Sequence, residues 1–244
     1  MQVVAHYIGH SGWLLEVGDQ LLLFDYYKGD IPPVIDDIGR ELLIFVSHSH
    51  SDHFNRKTVY RLATERANTT IILADEVSLH LPSEESIPAT IVRLEEGGKY
   101  VHGSLTVKAF GSTDAGVSFL LSYPQVSFFH AGDYNLWHWP LESTPQEIKT
   151  AEEGFYRILE TLKGKSINIA LFPVDSRQQG DYDRGAREFA HTMRPEVFLP
   201  MHFGSDHNDL QQFFSWAEQT LPHMKVCLPE AGNEIVINTQ NERE

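Results

Sequence analysis

The chain has 244 residues, 41% hydrophobic and 22% charged, a balance that suits a globular core and excludes an intrinsically disordered chain. Asp and Glu total 34 against 19 Lys and Arg, and the resulting formal charge of −15 argues against a long nucleic-acid track or an anionic membrane surface. A single cysteine, Cys227, excludes an internal disulfide framework.

In chain order, apolar and β-branched residues predict strands over 3–7, 13–17 and 20–24, with Gly18-Asp19 as the tight turn between the last two. Pro32-Pro33 interrupts the chain. Residues 42–46 follow as an unbroken apolar run, the pattern of a strand covered on both faces. A helix is expected over 56–66, then strands over 70–74, 91–94, 105–110, 117–121 and 126–129. Thr144-Pro145 with Glu147 reads as the start of a helix that runs to 162. Beyond it come a strand over 167–172 ended by Pro173, a helix over 184–191 and a strand over 197–199 ended by Pro200. A helix over 210–220, a final strand over 225–228 and a frayed polar tail over 238–244 complete the reading.

Strands with hairpins, then strands alternating with helices, occur about twice, although no sequence repeat is legible. The expectation is a single domain over 1–244, with two mixed sheets between outer helices. The opening segment lacks the basic-then-apolar pattern of a secretion signal, and the longest apolar runs are strand-sized, so the expected location is cytoplasmic.

The sharpest chemical signal is His48-Ser49-His50-Ser51-Asp52-His53, three imidazoles and a carboxylate in six positions, directly after the buried run 42–46. Neutral imidazole and ionised carboxylate suit zinc or divalent iron. Ligands in open α/β sheets are expected at strand ends, and the small serines let the backbone bend closely around an ion. Asp133 and His202 stand at two other predicted strand ends, after 126–129 and 197–199.

These residues resemble the metallo-β-lactamase superfamily of metal-dependent hydrolases. The block from His48 to His53 matches the H-x-H-x-D-H pattern in full. His130-Ala131-Gly132-Asp133 resembles the block around the bridging aspartate, and Met201-His202-Phe203 the final ligand block. The resemblance is closest to the branch with L-ascorbate-6-phosphate lactonase-like proteins and related Zn-dependent hydrolases. It implies an α+β fold, a four-layer αβ/βα sandwich with the metal site at one sheet edge. It further implies that His48 and His50 bind a first metal, that Asp52, His53 and His202 bind a second, and that Asp133 bridges the two.

One position departs from the pattern. The block G-H-T-x-x-G-x-S reads Gly111-Ser112-Thr113-Asp114-Ala115-Gly116-Val117-Ser118 here, so Ser112 stands where the resemblance expects a histidine. Asp114 is a candidate replacement ligand, because carboxylate binds the same ions. The alternative reading is that it only caps a turn.

The implied chemistry is metal-assisted hydrolysis by one or two zinc ions, with manganese or iron as alternatives. A metal-activated hydroxide would attack a small ester, lactone or phosphodiester-type substrate. Asp52 is the candidate to hold the nucleophile in line, and His130 or His207 to protonate the leaving group. His130 has the alternative reading of a satisfied core histidine. Trp137 and Trp139 would wall the site, stack on substrate or form a contact. His6, His10 and Asp25 are candidates to support the site, and Asp175, another strand-end acid, reads as a solvated loop residue beside Arg177 or, alternatively, as its partner in a pocket ion pair. His80, His102, His191 and His223 carry no supporting pattern. Neither G-x-x-x-x-G-K nor G-x-S-x-G is present. The expected partner is a small-molecule substrate, with no nucleic acid or membrane, and a homo-oligomer is open. The alternative functions are a di-iron redox enzyme of the same fold and a non-catalytic binding protein that retains metal.

Overall fold

The computed structural model describes residues 1–79, 87–204, 210–230 and 232–239. The chain's internal contacts divide it into two compact units, Met1–Glu95 with Pro229–Glu244, and Glu96–Leu228.

The first unit is built on a seven-stranded sheet. Its strands are β1 (Gln2–Gly9), β2 (Gly12–Val17), β3 (Gln20–Phe24), β4 (Glu41–Val46), β5 (Thr69–Ala74), β6 (Thr90–Leu94) and, from the far end of the chain, β14 (Glu234–Asn238). The order is β14-β1-β2-β3-β4-β5-β6. The first three pairings are antiparallel and the last three parallel. Gly18-Asp19 forms the expected two-residue turn, with Val17 opposite Gln20 and Gly18 at φ +57°. The unbroken apolar run becomes β4, a central strand buried from Leu42 to Val46. Phe24 stacks on Phe45 at 4.7 Å between ring centroids. Helix α1 (Arg56–Glu65) buries Val59, Leu62 and Ala63, and Asn55 caps it by accepting the Thr58 N–H at 3.1 Å.

The second unit repeats the plan. Its strands are β7 (Lys99–His102), β8 (Leu105–Gly111), β9 (Val117–Ser122), β10 (Ser127–His130), β11 (Ile169–Pro173), β12 (Val197–Met201) and β13 (Lys225–Val226), in the order β13-β12-β11-β10-β9-β8-β7. From β7 inward, three pairings are again antiparallel and three parallel. Helices α2 (Pro145–Leu162), α3 (Arg184–Met193) and α4 (Gln211–Thr220) complete it. Helix α2 begins with a capping box in which Thr144 and Glu147 satisfy each other's backbone N–H groups. Phe172 stacks on Phe189 at 4.4 Å, and Tyr134 on Phe155 at 5.2 Å.

Three expectations are corrected. The strand at Lys225–Val226 is followed by another, β14, which takes in Asn238 and pairs with β1 rather than fraying. Thr239 is also tied down, its N–H donating to the Met1 carbonyl at 3.0 Å. Residues 240–244 lie outside the described residues. Pro200 lies inside β12, opposite Phe172, and does not stop its strand, whereas β11 does end at Pro173 as expected. β7 alternates exposed and half-buried residues and carries no strong apolar pattern, which is why the sequence reading passed over it. No helix among the described residues is long and apolar enough to cross a membrane.

Candidate metal centre

In the first unit the chemistry gathers where the parallel strands β3 and β4 end. Asp25 follows β3 in a left-handed backbone conformation, φ +39°, and is 1% exposed. Its carboxylate accepts from the Ser47 N–H at 2.8 Å and the Ser47 hydroxyl at 2.6 Å, and it pairs with His53 Nδ1 at 2.8 Å. The Ser47 hydroxyl has spent its proton on Asp25, so it accepts from His48 Nδ1 at 2.9 Å. Both rings therefore carry their neutral-form proton on Nδ1, and Nε2 is left with the lone pair. One buried carboxylate thus sets the tautomer of two imidazoles, directly for His53 and through Ser47 for His48.

His48 and His53 are fully buried, with ring centroids 4.1 Å apart. His50 is exposed and meets the edge of His48 at 4.6 Å. Ligand atoms of Asp25, His48 and His53 all lie within 4.8 Å of one another. Asp52 is half-exposed, with Oδ2 3.3 Å from Nε2 of His10. His10 sits at φ +54° in the β1–β2 turn, and its ring meets His53 edge-on at 5.2 Å. His6, by contrast, pairs with Glu16 at 2.8 Å.

The second unit builds the same device from three separate strand ends. His202 follows β12 at φ +61°, Asp175 lies just past β11, and Asp133 follows β10. Asp175 is fully buried and pairs with His202 Nδ1 at 2.9 Å. Arg177 reinforces the carboxylate, with Nε 2.9 Å from Oδ1 and Nη2 2.5 Å from Oδ2. Burial alone would raise the Asp175 pKa, yet the hydrogen bonds from His202 and Arg177, with the guanidinium charge, hold it down at about 2. The reading of Asp175 as a solvated loop residue is therefore corrected: the strand end carries it inside, where the His202 ring needs an acceptor.

With its Nδ1 proton committed to Asp175, His202 turns Nε2 toward Asp133 Oδ1 at 3.4 Å. A carboxylate oxygen then faces an imidazole lone pair, an acceptor against an acceptor, which a cation relieves. Trp137 fixes the same place. Its indole N–H donates to the Asp133 carbonyl at 2.8 Å, and its ring lies 5.3 Å from His202.

His130 has the opposite tautomer. It is fully buried, and its Nδ1 accepts the Gly132 N–H at 3.2 Å, so its proton is on Nε2. It is a donor where His48, His53 and His202 are acceptors. Ser112 and Asp114 lie on the turn after β8. Asp114 is exposed, and its N–H donates to the Ser112 hydroxyl at 3.3 Å. Thr113 ties this turn to the Asp133 segment, donating to the Asn135 carbonyl at 2.5 Å and accepting the Asn135 N–H at 3.0 Å. His207 and His80 lie outside the described residues.

Residues 5–202 match the Beta-lactamase superfamily domain. The chain belongs to this superfamily. A metal-dependent hydrolase of Opitutus terrae is 29% identical over 251 residues, spanning 94% of this chain and 98% of that protein. The metallo hydrolase Igni18 of the hyperthermophilic archaeon Ignicoccus hospitalis has a TM-score of 0.69 at 17% identity, over 98% of this chain and 100% of that one. The metallo-β-lactamase fold protein YhfI of Bacillus subtilis has a TM-score of 0.65 at 12% identity, over 96% and 99%. The fold is accordingly the α+β metallo-β-lactamase fold.

Within the superfamily pattern, Asp25 and Ser47 are the residues that sequence reasoning undervalued. Asp25 carried the strand-end signal, an acid directly after an apolar run. Ser47 carried none, because a serine between a strand and a histidine is unremarkable until its hydroxyl is seen bridging Asp25 and His48.

Proposed function

We propose that this metal-dependent hydrolase of the beta-lactamase superfamily opens a small ester, lactone or phosphodiester-type substrate at a centre held by His48, His50, Asp52, His53, Asp133 and His202. Residues 1–244 act as a single catalytic domain in this reading. The observation that carries it is the approach of His202 Nε2 to Asp133 Oδ1 at 3.4 Å, a lone pair facing a carboxylate oxygen with the ring's proton pinned on the far side by Asp175.

The donor set suits a divalent cation. Three buried imidazoles present Nε2 lone pairs, and carboxylates supply the negative charge. Imidazole-rich sites favour zinc, with manganese or iron as alternatives. When bound, such an ion lowers the pKa of a coordinated water toward neutrality and polarises the oxygen of the group under attack.

The chain's own residues do the rest. Asp25, Ser47 and Asp175 hold the imidazoles in one tautomer and one orientation, so little rearrangement is needed on loading. Asp52, half-exposed beside His10, orients the attacking water and takes its proton. His130, with its proton on Nε2, is a donor to the leaving group or the developing oxyanion. His207 shares the acid role as a second candidate. Asp114 remains a candidate ligand in place of the histidine that Ser112 replaces.

The test is metal analysis of the protein as purified, with hydrolysis assays on a lactone, a carboxylic ester and bis(p-nitrophenyl) phosphate. Zinc or manganese and turnover of one of these are expected, with Asp133→Asn losing activity to background. Iron with oxygen turnover would replace hydrolysis by redox chemistry. Retained metal with no turnover of any kind would leave a binding protein.

A further inference from the structure

The second unit carries a cleft of about 360 Å³ between β7, β8 and the end of α2, built from residues that the metal centre does not use. Lys99, Lys108 and Lys165 line it, with Phe110, Thr161 and Glu96. All three lysines are exposed, and among the described residues none forms an ion pair. Three unneutralised ammonium groups around one small cleft stand out in a chain whose formal charge is −15.

The placement is costly without a ligand. Lys99 and Lys108 are direct cross-strand partners in the antiparallel β7–β8 pair, so both ammonium stems rise from the same face. Like charges directly opposite each other destabilise a sheet. Lysine on an edge strand guards against strand-to-strand association, and that accounts for Lys99 on β7. It does not account for Lys108, because β8 is paired on both sides, nor for Lys165, which lies beyond the end of α2.

The one acid in the lining is already engaged. Glu96 pairs with Arg157 at 3.1 Å. Its carboxylate lies against Gly111, where a Cβ would come within 2.8 Å of Oε2. The charge left facing the cleft is positive, and Phe110 supplies a half-buried aromatic wall.

We propose that this cleft binds a small organic phosphate, its phosphate on Lys99, Lys108 and Lys165 and its apolar or aromatic body against Phe110. The volume falls in the range of small-molecule sites, about 300–1,000 Å³. The acidic remainder of the chain repels a long polyanion but leaves a compact one to the local lysines.

The test uses the intact, metal-loaded protein labelled with 15N and titrated with ATP, inorganic phosphate and a short single-stranded RNA. Saturable amide shifts at Lys99, Lys108, Phe110 and Lys165 are expected with millimolar ATP, weaker ones at the same positions with phosphate, and attenuation by salt. Lys99→Gln, Lys108→Gln and Lys165→Gln should each weaken binding by roughly tenfold, the loss of one charge-assisted hydrogen bond. Lys108→Arg should retain it. Lys163→Gln should change nothing, because Lys163 is paired with Glu160 at 2.5 Å. The proposal is overturned if ATP shifts only amides of the metal-centre strand ends, if the Lys99→Gln/Lys108→Gln double variant binds like the parent, or if RNA binds more tightly than ATP. These amide positions report on the cleft irrespective of whether the metal centre hydrolyses anything.

Discussion

The two units solve one problem with different economy of sequence. Each has a seven-stranded sheet that changes from antiparallel to parallel pairing, and each places its chemistry where the parallel strands end. In each, a buried aspartate past one strand holds Nδ1 of a histidine past the next, Asp25 with His53 and Asp175 with His202. The first unit concentrates three imidazoles in one segment, and a single carboxylate governs two of them. The second draws its residues from three strand ends, and a carboxylate braced by Arg177 governs one. An orienting carboxylate is therefore common to both units, and the number of rings that depend on it differs.

Substituting the two aspartates separates them and should have the largest effect. Asp25→Asn and Asp175→Asn each replace one accepting oxygen with an NH2 donor and remove the charge, so the network that sets the tautomers can no longer be completed, and losses of about 10–100-fold in metal affinity or turnover are expected. Asp25→Asn should be the more damaging, because His48 and His53 both lose their proton acceptor network. Metal titration with a competing chelator decides this, and equal losses would break the comparison.

Packing beside the second unit's cluster gives a somewhat smaller effect. A Cβ at Gly185 would overlap Oδ1 of Asn135, two residues beyond Asp133. Gly185→Ala should cost about 1–3 kcal/mol in chemical denaturation. The first unit should be spared if the units respond separately, as amide exchange on each would reveal.

Next come the local caps. Thr144→Ala removes the α2 capping box and should cost about 1 kcal/mol, a fall of roughly 2–4 °C in Tm. Asn55→Ala at the α1 cap should behave alike. It also loses the hydrogen bond from Asn55 Nδ2 to the Tyr27 carbonyl at 2.8 Å, so the larger drop is expected in the first unit.

The smallest effect is a pH dependence. Burial raises the Glu16 pKa, but His6 and Arg40 outweigh it and hold the carboxyl below its ordinary value of 4.5. A carboxyl depressed by folding contributes stability that is fully present above 4.5 and fades as pH falls through the lower native value. Glu16→Gln should flatten the stability profile below that point, and denaturant midpoints between neutral and acid pH measure it. Glu147 is lowered likewise by the Thr144 N–H and hydroxyl. Glu147→Gln offers the matching measurement in the second unit.

Much of the fold was legible in the sequence. The strands from 3 to 24, the buried run 42–46 and the helix following Thr144-Pro145 all follow from local pattern and cap chemistry. Less legible were β7 and β14, with their mixed faces, and the passage of β12 through Pro200. At the site, the block His48 to His53 announces itself because its donors are contiguous. Asp133 and His202 were legible only through their place after apolar runs and through the superfamily pattern.

Residue type and spacing alone determined that this chain carries metal-binding chemistry at strand ends, because imidazole and carboxylate clustered after a buried strand have few other uses. Which nitrogen of each ring is offered, and that Asp25 and Asp175 decide it, belonged to the tertiary structure. A tautomer is set by the hydrogen-bond partner across the fold, and those partners lie 28 and 27 residues away along the chain.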